Sequence, residues 1–163
     1  RGNVDTRIKK LKNGEYDAII LSLAGLERLN LEPMVTQILE PDIFLPAACQ
    51  GAIGIQGLVD RGLEEFFSNI NHEDSQLVCS SEREILRMIN ANCNSPVSVF
   101  SQTYNNEIAI NFQLFDHDGS EIYKKKTSGN KQDYIKICKD NSKYQTLLQA
   151  INSILCGSYI VHH

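Results

Sequence analysis

The sequence has no long apolar run, no closely spaced pair of cysteines and only a small net charge. A membrane-spanning helix needs roughly 18 consecutive apolar residues, and no run in the chain reaches that length. The formal net charge of -4 gives no general attraction to nucleic acid or to an anionic membrane. We therefore expect a globular protein that binds neither nucleic acid nor membrane.

Cysteine spacing argues against both a metal site and a disulfide framework. The five cysteines form no CxxC-type pair, and their number is odd. Scattered thiols of this kind are typical of a reducing compartment. We therefore expect a cytoplasmic protein with no metal site.

The first part of the chain has the pattern of an α/β domain. Asp5 or Thr6 can cap a short helix that stops at Asn13-Gly14. The continuous apolar run from Asp17 to Ser22 predicts a strand covered on both faces, as in a parallel sheet. A second helix follows and should end near Asn30. Residues 52–59 predict another buried strand with two glycines, which indicate close approach by backbone or ligand, and residues 61–70 predict a helix.

The second half of the chain predicts a small α+β domain that begins with a helix. Ser81 followed by Glu84 has the form of a capping box at the start of that helix. Asn90 would end the helix, because asparagine tolerates the left-handed conformation that closes helices.

Three antiparallel strands are expected next, over residues 96–103, 107–115 and 121–126. Asn105-Asn106 joins the first pair, and Asp118-Gly119 is a hairpin signal between the second pair. In the middle strand, alternate positions carry Ile108, Ile110, Phe112 and Leu114, which gives the sheet one apolar face. A long amphipathic helix from Tyr144 to Leu155 should cover that face.

Cys93 lies between the predicted helix and the first strand of this sheet. The C-terminus of a helix carries a negative partial charge, which does not favour a thiolate. That setting fits a thiol alkylated once by a strongly electrophilic partner better than a nucleophile used at every turnover. The alternative is a half-buried structural cysteine.

Several short motifs together resemble the porphobilinogen deaminase family, also called hydroxymethylbilane synthase, of haem biosynthesis. They are Arg1-Gly2-Asn3-Val4-Asp5-Thr6-Arg7, Gly14 to Leu21, Ala24 to Leu29, Gln50 to Ile55, Ser81-Glu82-Arg83 and Cys93 to Val97. The resemblance runs nearly end to end but covers about the second half of a family member. With no initiator methionine before Arg1, we expect a fragment, and we leave His162-His163 out of the site.

The resemblance implies a transferase that joins four porphobilinogen units head to tail, with loss of ammonia, into hydroxymethylbilane. It also implies a dipyrromethane cofactor attached to Cys93 through a thioether. The expected fold is a partial, periplasmic-binding-protein-like α/β domain followed by an α+β domain with a three-stranded antiparallel sheet. The expected divisions are residues 1–45, a crossover strand and helix over 46–72, and the cofactor-bearing domain over 73–163.

The resemblance also assigns the residues of the site. In addition to Cys93, the expected cofactor-binding residues are Arg1, Arg7, Arg28 and Ser22. The expected substrate-binding residues are Leu21, Gln50 and Gly51. Arginine suits this role because its guanidinium presents a fixed fork of donors to a carboxylate. For Leu21, simple core packing is an equal alternative. Cys49 replaces a glycine that the family usually has before its Gln-Gly pair.

The family's catalytic aspartate belongs to the absent N-terminal half, so we expect no turnover by this chain alone. Its expected partners are porphobilinogen, the growing oligopyrrole and that missing half, in an enzyme that is monomeric when complete. One alternative is a non-catalytic module of periplasmic-binding-protein type that closes on small anions. Another is a thiol-dependent acyl-transfer enzyme, although no histidine forms a recognisable partner motif for Cys93.

Overall fold

A computed structural model of the chain describes residues 2–58, 61–92, 95–116 and 118–139. The backbone divides into two units, Arg1–Glu40 and Pro41–His163. The finer division at residues 45 and 72 stays a prediction. Among the described residues, no helix combines the length and the apolarity that a membrane span would require.

The first unit contains two helices and a short turn of 3-10 helix. Helix α1 spans Val4–Lys12, helix α2 spans Leu23–Arg28, and the 3-10 turn spans Glu32–Met34. The cap of α1 is Asn3, whose side-chain oxygen accepts a hydrogen bond from the Thr6 backbone N–H at 3.0 Å. The prediction of Asp5 or Thr6 as the cap was therefore wrong, because Asn3 satisfies the first-turn N–H groups from one position earlier.

Both helices of this unit end as the sequence predicted. Gly14 has a φ of +74° after α1, and Asn30 has a φ of +54° after α2. Beyond α2, the Asn30 N–H donates to Glu27 O and the Leu31 N–H donates to Leu26 O. This is the Schellman arrangement, in which a left-handed residue lets the last carbonyls find donors.

The predicted strand at residues 17–22 is wrong for this structure. These residues form no β-ladder with any described residue, and Ile20 is 56% exposed. A strand covered on both faces requires neighbouring strands that supply hydrogen bonds, and the described part of this unit supplies none. The sheet of the expected α/β domain is thus absent from the described residues.

The predicted strand at residues 52–59 is also wrong where the structure describes it. Residues 52–58 are unpaired and exposed, with Ile53 at 83%, and residue 59 lies outside the described residues. The predicted helix after it is confirmed as α3, Glu64–Ile70. The two glycines of this segment were expected to allow close approach by backbone or ligand. At Gly57 the close neighbour is a side chain, because the Phe67 ring lies 2.5 Å from the ideal Cβ position.

The three-stranded antiparallel sheet of the second unit is confirmed. Its strands are β1 (Val97–Tyr104), β2 (Glu107–Phe115) and β3 (Glu121–Asn130), in that spatial order. Asn105 has a φ of +52° in the first turn. The predicted apolar face is buried, and its β2 residues are Ile108, Ile110, Phe112 and Leu114.

Helix α4, Glu73–Met88, begins well before the predicted start at Ser81. Its cap is His72, whose ring nitrogen accepts from the Ser75 N–H at 3.2 Å. Ser81 is fully buried inside the helix, where its hydroxyl donates to Val78 O at 2.8 Å. The S-x-x-E pattern was misleading, because Glu84 pairs with Arg87 at 2.7 Å instead of returning to a cap.

The end of α4 is as predicted, and a short helix that was not predicted completes the core. Asn90 has a φ of +51°, and the Ala91 N–H donates to Leu86 O at 2.9 Å. Helix α5, Tyr134–Lys139, places the buried Cys138 against the sheet beside Ile85 and Ile89 of the α4 segment. The long helix predicted over residues 144–155 lies outside the described residues.

Candidate functional site

Two of the predicted site residues, Arg1 and Cys93, lie outside the described residues. The chain on either side of residues 93–94 is described. There the Asn92 N–H donates to the Ser95 hydroxyl at 2.9 Å, and the Ser95 N–H donates to Asn92 O at 3.0 Å. Since α4 ends at Met88 and β1 begins at Val97, the predicted sequence position of Cys93 between a helix and a strand is confirmed.

In the first unit, Arg7 is tied to the segment that carries Leu21 and Ser22. A terminal nitrogen of its guanidinium donates to the Ile20 carbonyl oxygen at 2.9 Å. A guanidinium has five N–H donors in a fixed fork, so this bond sets the position of the group without using all of its donors. The contact thus brings three of the predicted site residues into one local region.

Ser22 and Arg28 lie at opposite ends of the short helix α2. The Ser22 hydroxyl oxygen accepts from the Gly25 N–H at 3.3 Å and caps the helix. Arg28 is exposed in the last turn, where the helix dipole favours a cation. Leu21 is half-buried, so its packing role stays open beside the substrate role.

Neither Arg7 nor Arg28 forms an ion pair with a carboxylate in the part of the chain that the structure describes. By contrast, Arg87 of the second unit donates to both carboxylate oxygens of Glu84. The guanidinium groups of Arg7 and Arg28 therefore each retain N–H donors of the kind that bind a carboxylate.

In the second unit, Gln50 and Gly51 lie in a tight turn, residues 47–52, called here the 47–52 turn. The Gln50 N–H donates to Ala47 O at 3.0 Å, and the Ala52 N–H donates to Cys49 O at 3.2 Å. Two positions have left-handed backbone, Cys49 with a φ of +59° and Gly51 with a φ of +83°. Glycine, which the sequence resemblance implies at position 49, would adopt this φ without a Cβ clash.

Glu82 holds this turn, and the sequence analysis did not assign it a role in the site. The side chain is 2% exposed. One carboxylate oxygen accepts from the Cys49 N–H at 2.5 Å, and the other accepts from the Ser101 N–H at 2.7 Å. Burial raises the pKa of the Glu82 carboxyl above its usual range, although the two N–H donors oppose that shift.

A signal for Glu82 was present in the sequence. Helical spacing places it on the apolar stripe formed by Val78, Ile85 and Ile89. A charged residue on a buried stripe requires hydrogen-bond partners, and here both partners are backbone N–H groups.

A cavity of about 360 Å³ lies beside the 47–52 turn, between it and α4. Its lining includes Gln50, Gly51, His72, Cys79, Glu82 and Phe100. Burial, followed by the neighbouring Cys79, raises the pKa of the Cys49 thiol to about 11. A thiol with that pKa is protonated at neutral pH and is a poor nucleophile.

The described residues give no support to a thiol-dependent acyl-transfer site. The Cys49 thiol donates to Cys79 O at 3.7 Å, and the His72 ring caps α4. No cysteine hydrogen-bonds to a histidine within the described ranges. Such an enzyme needs a base within hydrogen-bond reach of its thiol.

The structure and its site define an arginine-bearing helical segment followed by an α+β domain with an antiparallel sheet. Residues 1–63 match a family model described as "Porphobilinogen deaminase, dipyromethane cofactor binding domain". Residues 76–143 match a second model, "Porphobilinogen deaminase, C-terminal domain". The chain belongs to the porphobilinogen deaminase family.

Curated relatives agree with this assignment. A porphobilinogen deaminase of Clostridium beijerinckii is 36% identical over 137 residues, which cover 84% of this chain and 46% of the relative. One from Campylobacter jejuni subsp. doylei is 40% identical and covers 82% and 44%. A chloroplastic one from Oryza sativa subsp. japonica is 40% identical and covers 79% and 37%. The chain thus spans less than half the length of these relatives, and the matches favour the enzyme family over a small-anion binding module.

Proposed function

We propose that this chain is the cofactor-attachment and carboxylate-binding part of a transferase that makes hydroxymethylbilane. The complete enzyme would join four porphobilinogen units head to tail and release ammonia at each junction. The observation that carries this proposal is the match of two consecutive domains of one family, in order, over most of the chain.

Cys93 is the proposed attachment point of a dipyrromethane cofactor, through a thioether. When bound, that group supplies the primer on which the pyrrole chain is extended. Two of the described thiols, Cys49 and Cys138, are less suited to this role, because burial raises the pKa of both to about 11. In sequence, Cys93 instead comes after the end of α4, between Asn92 and Ser95, and these two described residues hydrogen-bond to each other.

The arginines of the first unit are the proposed partners of the acetate and propionate groups on the pyrrole rings. Arg7 is held in place by Ile20 O, and neither Arg7 nor Arg28 has a carboxylate partner among the described residues. Arg1 and Ser22 complete this set by family resemblance. Leu21, Gln50 and Gly51 would contact the incoming substrate, with backbone groups of the 47–52 turn close to a ring.

The missing half of the enzyme would complete the fold and supply the catalytic aspartate. We propose that residues 17–22 and 52–59 become strands of periplasmic-binding-protein-like domains when their neighbours are present. This accounts for the exposure of Ile20, Ile53 and Ile55, because strand-forming apolar runs are stable when both edges are paired. The proposed divisions are residues 1–45, 46–72 and 73–163, in a cytoplasmic enzyme that is monomeric when complete.

Peptide mass mapping of the complete enzyme tests the proposal. The tryptic peptide that contains Cys93 should carry an added mass equal to two condensed pyrrole units. Peptides that contain Cys49, Cys79 or Cys138 should carry none. A C93A variant should lack the modification and the activity, whereas a C79A variant should keep both. An active enzyme with unmodified Cys93 would refute the proposal.

A further inference from the structure

We propose that Glu82 is a positioning residue that fixes the backbone of the 47–52 turn for substrate binding. The two hydrogen bonds that Glu82 accepts, from Cys49 and from Ser101, are called the Glu82 clamp. The role in the reaction rests on the proposed function, because that function assigns Gln50 and Gly51 to the substrate. The clamp itself rests on contacts within the second unit.

The clamp joins three separate segments of the chain. Glu82 lies on α4, Cys49 precedes the Gln50-Gly51 pair, and Ser101 lies on the edge strand β1 of the described sheet. The partners are 33 and 19 positions away in sequence, so neither bond is a local capping contact. All three groups are at least partly buried, where hydrogen bonds are less exchangeable with water.

A carboxylate is the side chain that this geometry requires. Both donors are backbone N–H groups, and an ionised carboxylate offers two oxygens that only accept. Glutamine would present an NH2 group to one of the two N–H donors. No described lysine, arginine or histidine forms an ion pair with Glu82, so its described partners belong to Cys49 and Ser101.

The clamp acts on a residue with an unfavourable backbone conformation. Cys49 has a φ of +59°, which non-glycine residues adopt at an energetic cost and hold when surrounding contacts fix them. Because Gln50 follows directly, its amide and the backbone of Gly51 take their directions from this residue. Loss of the clamp would therefore let the turn relax away from the geometry in which the pair faces the cavity.

The same helix also leads to the proposed cofactor cysteine. From Glu82, α4 continues to Met88 and ends at the left-handed Asn90, shortly before Cys93. The clamp thus attaches the substrate-binding turn to the element that precedes the attachment loop. A rigid connection of this kind sets geometry in a catalytic site more accurately than a free loop does.

The experiment compares E82Q with I85V in the complete enzyme with its cofactor. Ile85 is buried on the same helix, and its truncation lowers stability without removing a hydrogen bond to the 47–52 turn. Amide hydrogen exchange of residues 49–51 should rise by about tenfold in E82Q relative to I85V, as for the loss of one buried hydrogen bond. The KM for porphobilinogen should rise several-fold in E82Q with a smaller change in kcat, and I85V should change neither.

Each failure has a distinct meaning. Equal exchange of residues 49–51 in E82Q and I85V would overturn the clamp. Faster exchange with an unchanged KM would overturn its role in the reaction. Neither result bears on the proposed function, which is judged separately by the mass of the Cys93 peptide.

Discussion

Glu82 accepts a hydrogen bond from the backbone N–H of Cys49 at 2.5 Å, although the two residues are 33 positions apart in sequence. This contact brings the turn with the family's Gln-Gly pair against the helix that leads to Cys93. Two of the resemblance motifs, Gln50 to Ile55 and Ser81-Glu82-Arg83, are therefore joined through one residue of each segment. Their spacing along the chain gave no indication of this connection.

The protein should be more stable with glycine than with alanine at position 49. Cys49 has a φ of +59°, where a Cβ costs about 1–2 kcal/mol. Both C49G and C49A remove the thiol and its contact with Cys79 O, so their difference isolates the backbone term. We expect C49G to exceed C49A by about 1 kcal/mol in the free energy of unfolding, measured by urea denaturation. Equal stability would show that the left-handed conformation at this position carries no strain.

Two thiols, the half-buried Cys49 and the buried Cys138, should resist alkylation in the folded protein. The pKa values of Cys49 and Cys138 are raised to about 11 from an ordinary value of 9.0, chiefly by burial. A shift of this size lowers the thiolate fraction at pH 8 by about a hundredfold. Labelling with iodoacetamide, followed by peptide mass analysis, should therefore be slow at both residues and fast after unfolding in urea. Rapid labelling of either thiol in the folded protein would contradict the shift.

The hydroxyls of Ser81 and Ser101 should stabilise the protein as a pair. They lie 3.0 Å apart, and the two residues are 0% and 3% exposed. Removing one hydroxyl leaves the other with a lost partner in the interior, which costs about 1–3 kcal/mol. S81A and S101A should each destabilise the protein, and the double variant should cost less than their sum. Strict additivity in this double-mutant cycle would refute the coupling.

The sheet of the second unit was predictable because the sequence patterns that indicate its strands and turns lie within the strands and turns themselves. Strict alternation through Ile108, Ile110, Phe112 and Leu114 matches the period of a strand with one buried face. Asparagine and glycine then mark the places where the chain must turn with positive φ. The partner strands are themselves contained in the chain, so the pattern and the observed pairing agree.

The strands of the first part were mispredicted because a sequence pattern does not show whether partners are present. The apolar runs at residues 17–22 and 52–58 have the composition of buried parallel strands, yet they pair with no described strand. Backbone hydrogen bonding in a sheet depends on neighbours. The chain spans less than half the length of its curated relatives, and under the proposed function the neighbouring strands belong to the rest of the enzyme.

The start of α4 and the role of Glu82 were missed for a related reason. Ser81 and Glu84 match a capping box, but the same residue types serve other contacts inside a helix. Ser81 bonds to Val78 O and Ser101, and Glu84 pairs with Arg87. The apolar stripe continues on both sides of Ser81, and that continuity is a stronger signal than a four-residue motif.

Because of Glu82, the folded protein should become less stable as pH rises above the ordinary pKa range of a glutamate side chain. Burial raises its pKa in the folded state above the unfolded value near 4.5. The folded state therefore binds this proton more tightly than the unfolded state does. The contribution of Glu82 is fully present below the unfolded pKa and is lost as pH rises through the folded pKa. Urea denaturation at a series of pH values from 4 upward measures this slope.

Comparison with E82Q separates this contribution from that of carboxylates whose pKa is shifted in the opposite direction. The pKa values of Asp74, Glu84 and Asp118 are lowered by hydrogen bonds, first from Lys131, Arg87 and Ser120 respectively. Their stabilising effect is present above the unfolded pKa and is lost as pH falls, and it is common to both proteins. The free energy of unfolding of the wild type should therefore fall relative to that of E82Q as pH rises through the folded pKa of Glu82. A difference that does not vary with pH would show that the two backbone N–H groups offset the burial of this carboxylate, and the pKa of Glu82 would then be unshifted.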